Sequence, residues 1–150
     1  CLYLGDTAET TIYEARAGAY DYVTVGKFRL KEDIIVVDLK KINQISPFIE
    51  GLDCLEYAIN KEHLNKINDE MGKIMRRSDS ALDYVPTQYI TDFVKSIIRD
   101  GKAEYAGIEY KSVMHSGGYN LALFDPDLFE CIGTEVYGID TIDYRKHPIV

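Results

Sequence analysis

The fold of this chain is decided by residues 3–16, which read YLGDTAETTIYEAR. The apolar start predicts the end of an extended segment, Gly5 and Asp6 predict a turn, and the remainder predicts a short helix. Asp6 or Thr7 can cap this helix, because each carries a side-chain oxygen for the free N–H groups of the first turn. Glu9 follows Asp6 by three residues and completes a capping-box pattern.

The predicted helix has one apolar stripe and one glutamate beside it. Ala8, Ile12 and Ala15 recur at helical spacing, which predicts a single buried stripe. Glu14 lies about 100° from Ala15 around the helix axis. It therefore points either to solvent or into a cleft beside the helix, and which of the two holds decides what the protein does.

Composition limits the class of protein. The chain has 150 residues, of which 46% are hydrophobic and 28% charged, and this suits a single globular domain with a real core. Its net charge of −8 argues against nucleic-acid binding but leaves a small anionic ligand open. No apolar run approaches the roughly 18 residues that cross a bilayer, and no signal peptide is evident, so no membrane association is predicted.

Cysteines and histidines give no metal pattern. The odd cysteine count without a CxxC motif predicts a reducing, cytoplasmic setting, with the thiols packed in the core. The histidines lack ligand spacing, which predicts three exposed side chains and no metal. The residues concerned are Cys1, Cys54, Cys131, His63, His115 and His147.

The remaining pattern predicts further strands and helices. A strand over 22–30 could pair through a polar turn with a doubly buried strand over 34–39. One or two helices are expected over 40–77 with a break at Ser46-Pro47, and a polar loop covers 76–80. A helix over 86–99 buries Ile90, Phe93, Val94, Ile97 and Ile98. Strands over 106–112 and 119–124 follow, and 129–144 adds one or two more, broken at Gly133 and Gly138. This order predicts an α+β fold.

The loop over 115–120, HSGGYN, has two interpretations. Its backbone N–H groups could face an anion, or it could be an ordinary hairpin loop. No helix follows it, so it is not a nucleotide loop of the Walker or Rossmann type. No nucleophile motif is present elsewhere in the chain.

Two blocks of sequence resemble the RES domain, a family named for an arginine, a glutamate and a serine. The first block is 3–16 with the strands over 23–28 and 34–39. The second consists of 86–93, 107–112 (GIEYKS) and 117–124 (GGYNLALF). The pieces occur in the family's order and spacing, whereas 40–82 matches no motif.

The resemblance implies a fold similar to ADP-ribosyltransferases, with central split β-sheets flanked by helices. It implies NAD+ as the substrate, with no separate cofactor, and cleavage of the nicotinamide–ribose bond by a glycohydrolase or phosphorylase, as in the toxins of toxin–antitoxin pairs. By position, Glu14 matches the family's glutamate, Ser112 its serine and Tyr3 its tyrosine. The family's arginine precedes that tyrosine, so residues 1–150 are interpreted as the C-terminal part of a longer chain that lacks the first strand and this arginine. Arg16 is a different residue.

These residue types suit the implied chemistry. The carboxylate of Glu14 would stabilise the positive charge that develops on the ribose as the bond breaks. Tyr3 would stack on nicotinamide, and Ser112 would hydrogen-bond ribose or carboxamide. Asn120 is a further candidate for binding the substrate, although an asparagine there can also tie its loop to the backbone.

Two other functions stay open. One is a catalytically silent module that docks an antitoxin-like protein. The other is a transferase that moves ADP-ribose onto a protein. A homo-oligomer is also compatible with the sequence.

Overall fold

The computed structural model describes residues 1–44, 61–63, 65–68 and 85–143. Helices and strands are mixed along the chain, so the fold is α+β, as predicted. Residues 61–63 and 65–68 are helical, which agrees with the helices predicted in this region. The other elements, in chain order, are β1 (Leu2–Gly5), α1 (Ala8–Ala15), β2 (Tyr22–Leu30), β3 (Val36–Asp38), a 3₁₀ helix (Leu39–Gln44), α2 (Val85–Ser96), β4 (Ile98–Arg99), β5 (Lys102–Ala103), β6 (Gly107–Lys111), β7 (Tyr119–Leu123), a 3₁₀ helix (Pro126–Leu128) and β8 (Phe129–Gly138).

The described strands form three sheets. The largest has four strands in the order β1-β7-β6-β3, and all its pairs are antiparallel except β3 with β6. Strands β2 and β8 form a separate antiparallel pair, and β4 and β5 form a small hairpin. Asp100 and Gly101 connect this hairpin with φ of 51° and 78°, as a two-residue turn of type I′ requires.

One face of the four-stranded sheet carries both the core and the candidate site. Cross-strand pairing puts Gly5 opposite Asn120 and Asn120 opposite Tyr110. Because side chains alternate along a strand, Tyr3, Asn120, Tyr110 and Ile108 share this face. Ile108 is fully buried against Val94 of α2 and Leu39, and a buried aliphatic side chain of this size contributes about 2 kcal/mol.

The capping of α1 differs from part of the prediction. Thr7 is the N-cap, and its Oγ1 accepts a hydrogen bond from the N–H of Thr10 at 3.0 Å. The capping box built on Asp6 and Glu9 is therefore wrong, because the helix begins one residue later than that box requires. Asp6 instead accepts a hydrogen bond from the hydroxyl of Thr10.

The predicted apolar stripe of α1 is also wrong. Its fully buried residue is Thr10, whereas Ala15 is exposed and Ala8 and Ile12 are half-buried. The eight-residue helix buries a hydroxyl because its polar side lies against the loop that joins β6 to β7.

Strand β2 has the predicted bounds but a different partner. It pairs with β8, whereas Val36–Asp38 pairs in parallel with β6 at the edge of the larger sheet. The predicted pairing of these two segments is wrong, because an apolar run signals burial without specifying the strand that covers it. The predicted burial of 34–39 on both faces is wrong as well, since Ile35 is exposed and the strand itself is half-buried.

The last described strand, β8, runs unbroken through Gly133 to Gly138. Lys27 pairs with Gly133 and Phe28 with Cys131, so the register shifts by one residue at Ile132. The predicted break at Gly133 is thus an irregularity of the β-bulge kind within one strand.

Helix α2 is shorter than predicted. It ends at Ser96, and Ile98 starts the β4–β5 hairpin with 67% of its surface exposed. Val94 and Ile90 pack in the core, as predicted, but Phe93 is 58% exposed. The buried face of α2 is therefore narrower than predicted, since it includes Ile90 and Val94 but not Phe93 or Ile98.

The free cysteines Cys1 and Cys131 are exposed, so their predicted core packing is wrong. Cys131 lies in the two-stranded sheet, which buries few of its side chains. Cys54, the break at Ser46-Pro47 and the loop over 76–80 lie outside the described residues. None of the described helices has the length and hydropathy needed to cross a membrane.

Candidate functional site

Glu14 lies in the last turn of α1 and is half-buried. Its Oε1 accepts two hydrogen bonds, from the hydroxyl of Ser112 at 2.7 Å and from the side-chain amide of Asn120 at 2.7 Å. Among the described residues, no group donates to its other oxygen, Oε2. Within the part of the chain that the structure describes, the carboxylate is therefore held at one oxygen and accepts no hydrogen bond at the other.

The four-stranded sheet brings these residues together. Ser112 follows β6 directly, and its N–H donates to the carbonyl of Gly118 just before β7. Asn120 lies on β7 opposite Gly5 of β1, and α1 begins three residues after Gly5. The first helix is thus carried over the junction of β6 and β7, where Glu14 meets both donors.

Asn120 is 7% exposed, so its amide needs partners inside the protein. Its bond to Glu14 supplies one such partner. The sequence offered two roles for this residue, in substrate binding and in tying a loop to the backbone. The contact in the structure is with the carboxylate.

The turn over 112–118 orients the hydroxyl of Ser112. The backbone N–H of His115 donates to Ser112 Oγ at 2.9 Å. A serine hydroxyl has one proton, and that proton is donated to Glu14. The Ser112 hydroxyl therefore accepts a hydrogen bond from the backbone of the turn and donates one to Glu14 of α1.

His115 is half-buried, so its prediction as an exposed histidine is wrong. Its Nδ1 lies 2.8 Å from Thr10 Oγ1, and its ring stacks on Tyr13 with centroids 5.1 Å apart and planes 2° apart. Its burial follows from the fold of the turn, which the sequence pattern did not reveal. His63 is exposed, as predicted, and His147 lies outside the described residues.

Thr10 is the centre of a second set of hydrogen bonds. It is fully buried and donates its single hydroxyl proton to Asp6 Oδ1 at 2.7 Å. Thr10 Oγ1 also lies 2.9 Å from Thr7 Oγ1, and with the Thr10 proton donated to Asp6 the contact with His115 is assigned to a proton on Nδ1. Sequence reasoning did not select Thr10, because a threonine in a short helix gives no signal of this kind.

Asp6 links this set to β7. Burial alone would raise the pKa of Asp6, but the hydrogen bonds from Thr10 and from the backbone N–H of Tyr119 outweigh it and hold the pKa below its usual value. The N–H of Asp6 in turn donates to the carbonyl of Tyr119 at 3.0 Å. The start of α1 is thereby attached to the start of β7.

Gly118 permits the close approach of the turn to the helix. A Cβ at this position would lie 2.5 Å from Thr10 Oγ1 and 2.8 Å from His115 Nδ1. Any larger residue would push these two side chains apart.

Two tyrosines lie on the same sheet face as Asn120. Tyr3 is 69% exposed, whereas Tyr110 is half-buried and packs against the core. Burial, then the negative charge of Glu14, then Tyr3 raise the pKa of Tyr110 to about 12, so its phenol stays neutral at physiological pH. Sequence reasoning missed Tyr110, although its position two residues before Ser112 on a strand was a usable signal.

A cavity of about 480 Å³ lies between the larger sheet and the β2–β8 pair. Tyr3 and Asn120 line it, whereas Glu14 and Ser112 do not. Its apolar wall includes Leu4, Val25, Phe28, Leu121, Phe129 and Tyr137. Leu4 and Leu121 alternate with Tyr3 and Asn120 along their strands, so the cavity lies on the opposite side of the sheet from Glu14.

Within the described residues, no three His, Cys, Asp or Glu side chains are arranged to hold a metal ion.

Comparison with known proteins identifies the family. Searches of curated proteins and of solved structures find no match. The family model described as RES domain matches residues 1–144, and the chain therefore belongs to the RES domain family.

Proposed function

We propose that this protein cleaves the nicotinamide–ribose bond of NAD+. The observation that carries the proposal is the carboxylate of Glu14, whose Oε1 accepts from Ser112 and Asn120 while Oε2 accepts no hydrogen bond from the described residues. Membership of the RES domain family supports the choice of substrate. We also propose that the separate four-stranded and two-stranded sheets are the split sheets of an ADP-ribosyltransferase-like fold.

The reaction builds positive charge on the ribose. As the N-glycosidic bond breaks, its electron pair moves to the ring nitrogen of nicotinamide, and the ribose becomes oxocarbenium-like. A fixed carboxylate beside the ring stabilises this charge without having to reorganise. An oxygen of water or phosphate then bonds to the ribose carbon, and a proton is released to solvent.

Ser112 and Asn120 are assigned to holding Glu14. Each donates a hydrogen bond to Oε1, and Ser112 Oγ also accepts a hydrogen bond from the backbone N–H of His115. A carboxylate with one oxygen fixed in this way has little rotational freedom, so Oε2 keeps its direction. Asn120 is 7% exposed, and its assigned role is to hold the carboxylate.

Tyr3 is assigned to the nicotinamide. It is an exposed aromatic residue on the face that carries Asn120, and it lines the cavity. An exposed ring offers a flat apolar face for stacking, a contact worth about 1 kcal/mol beyond the buried area.

Nicotinamide release from NAD+ tests the proposal. We expect the protein to release nicotinamide and Glu14→Gln, which keeps the shape and removes the charge, to reduce the rate about 10²–10³-fold. Glu130→Gln, on the exposed side of β8, is the matched control and should keep the rate. Equal rates in Glu14→Gln and the unchanged protein would contradict the assignment.

The products separate the possible acceptors. ADP-ribose indicates water, ADP-ribose 1″-phosphate indicates phosphate, and label retained on protein indicates a transferase. Release of no nicotinamide under any of these conditions would favour the catalytically silent module that docks an antitoxin-like protein.

We also propose a cellular role as a cytoplasmic toxin that depletes NAD+. Expression should lower cellular NAD+ and slow growth, whereas expression of Glu14→Gln should do neither. Unchanged NAD+ during expression of the active protein would contradict this role.

A further inference from the structure

We propose that His115 is a positioning residue that fixes Ser112, and through it the carboxylate of Glu14, by holding the turn over 112–118 against α1. This inference rests on the proposed function. Nothing in the sequence pattern or the family resemblance selects His115 for this role.

Two consecutive hydrogen bonds link His115 to the carboxylate of Glu14 through Ser112. The N–H of His115 donates to Ser112 Oγ at 2.9 Å, and Ser112 Oγ donates to Glu14 Oε1 at 2.7 Å. With one lone pair occupied by the N–H, the hydroxyl proton is directed toward the helix. The position of residue 115 therefore sets the direction of the bond that holds the carboxylate.

The turn is attached to α1 at two points. The His115 side chain meets Thr10, and the Ser112 side chain meets Glu14. Thr10 and Glu14 are four residues apart and lie on the same side of the helix, about 6 Å apart along its axis. Two attachments at this separation fix both the rotation of the helix and its position along the turn.

The contact with Thr10 requires a side chain that can donate a hydrogen bond. With the Thr10 proton donated to Asp6, Thr10 Oγ1 accepts from its other two neighbours, Thr7 Oγ1 at 2.9 Å and His115 Nδ1 at 2.8 Å. The protonated Nδ1 of His115 donates the second of these hydrogen bonds, while the ring stacks on Tyr13. Its Nε2 faces Glu9 at 3.8 Å. A phenylalanine would keep the stacking but leave Thr10 without this donor.

Gly118 keeps the contact close. The Cβ that glycine lacks would fall within 2.8 Å of both Thr10 Oγ1 and His115 Nδ1. Glycine at position 118 therefore leaves room for the contact between Thr10 and His115.

The test compares three substitutions at residue 115 in the intact protein. His115→Phe keeps the ring without a donor, His115→Asn places an amide N–H near the position of Nδ1, and His115→Gln places it near Nε2. We expect kcat for nicotinamide release to fall about 10-fold to 100-fold in His115→Phe and His115→Gln, with KM within about twofold, because a carboxylate misplaced by about 1 Å costs this much. His115→Asn should recover most of kcat, and His63→Phe, at an exposed histidine, is the control.

The pattern of recovery decides between positioning and general stabilisation. A kcat unchanged in His115→Phe overturns the proposal, and so does an equal kcat in His115→Asn and His115→Gln. The second comparison also decides the matter if His115→Phe does not fold.

Hydrogen exchange tests the same contact without NAD+. The backbone N–H of residue 115 should be protected in the unchanged protein and in His115→Asn and should exchange faster in His115→Gln. Equal exchange in all three overturns the positioning role. If the unchanged protein releases no nicotinamide, the proposed function fails, and this measurement still decides whether His115 holds the turn.

Discussion

Ser112 Oγ lies 2.7 Å from Glu14 Oε1, although 98 residues separate the two in the chain. This contact joins the helix after the first strand to the end of β6. Because both side chains are partly buried, the bond is worth more than one at the surface, about 1.5–3 kcal/mol for a charged acceptor. It makes the two residues one unit, so a change at either should affect the other.

Removal of the Ser112 hydroxyl should impair catalysis more than folding. In Ser112→Ala the carboxylate of Glu14 keeps only the bond from Asn120, and the N–H of His115 loses its acceptor. We expect kcat for nicotinamide release to fall about tenfold, as for other losses of a supporting hydrogen bond. Ser116→Ala, at an exposed serine of the same turn, should change nothing. An unchanged kcat in Ser112→Ala would contradict this prediction and show that the bond from Asn120 alone holds the carboxylate of Glu14.

A second carboxylate beside Glu14 should make stability depend on pH. Asn120→Asp puts two like charges on the same short contact, and burial adds to their repulsion. The pKa of the introduced carboxyl should therefore be raised. Because the pKa of this carboxyl is raised in the folded protein, the stability of Asn120→Asp is retained at acid pH. It is lost as pH rises through the pKa that the carboxyl has in the folded state. Thermal melting at pH 5 and pH 8 should show a larger loss at pH 8, and equal losses would contradict the repulsion.

Gly118→Ala should destabilise the protein through one close contact. The new Cβ would lie 2.5 Å from Thr10 Oγ1. We expect a loss of about 1–3 kcal/mol in the free energy of unfolding, the usual cost of overpacking. Gly133→Ala is the matched control, because no atom lies within 4 Å of its added Cβ. Denaturant titration of both variants measures the difference, and similar losses would argue against the contact.

Tyr110 should make the folded protein less stable in alkali. Its pKa rises from an ordinary value of 10.0 to about 12, first because of burial and then because of Glu14. The unfolded chain loses the proton first, so this part of the stability is complete below pH 10 and lost as pH approaches 12. A shift of about two units corresponds to an upper limit near 3 kcal/mol.

Denaturant titration between pH 9 and pH 11 measures this loss. Tyr110→Phe should lose less stability over the interval than the unchanged protein, whereas Tyr89→Phe, at an exposed tyrosine of α2, should behave like the unchanged protein. If the free energy of unfolding falls equally with pH in the unchanged protein and both variants, the loss of stability in alkali does not come from Tyr110.

Local pattern predicted several strand bounds, and the family resemblance named residues that the structure brings into contact. The bounds of β2 were correct, those of β6 and β7 were within one residue, and Glu14 lies beside Ser112. The partner of β2 was missed, because strand propensity is local whereas the pairing with β8 spans about a hundred residues. Thr10, His115 and Tyr110 were missed for a related reason: their importance comes from contacts between distant segments.

The border strands of the four-stranded sheet are short. Strand β1 has four residues and β3 has three. An open sheet border attracts the backbone of other molecules, and proteins reduce this tendency by keeping the border strands short. A strand of three residues offers few free N–H and C=O groups to an incoming chain, so β3 gives edge-to-edge pairing little backbone to build on.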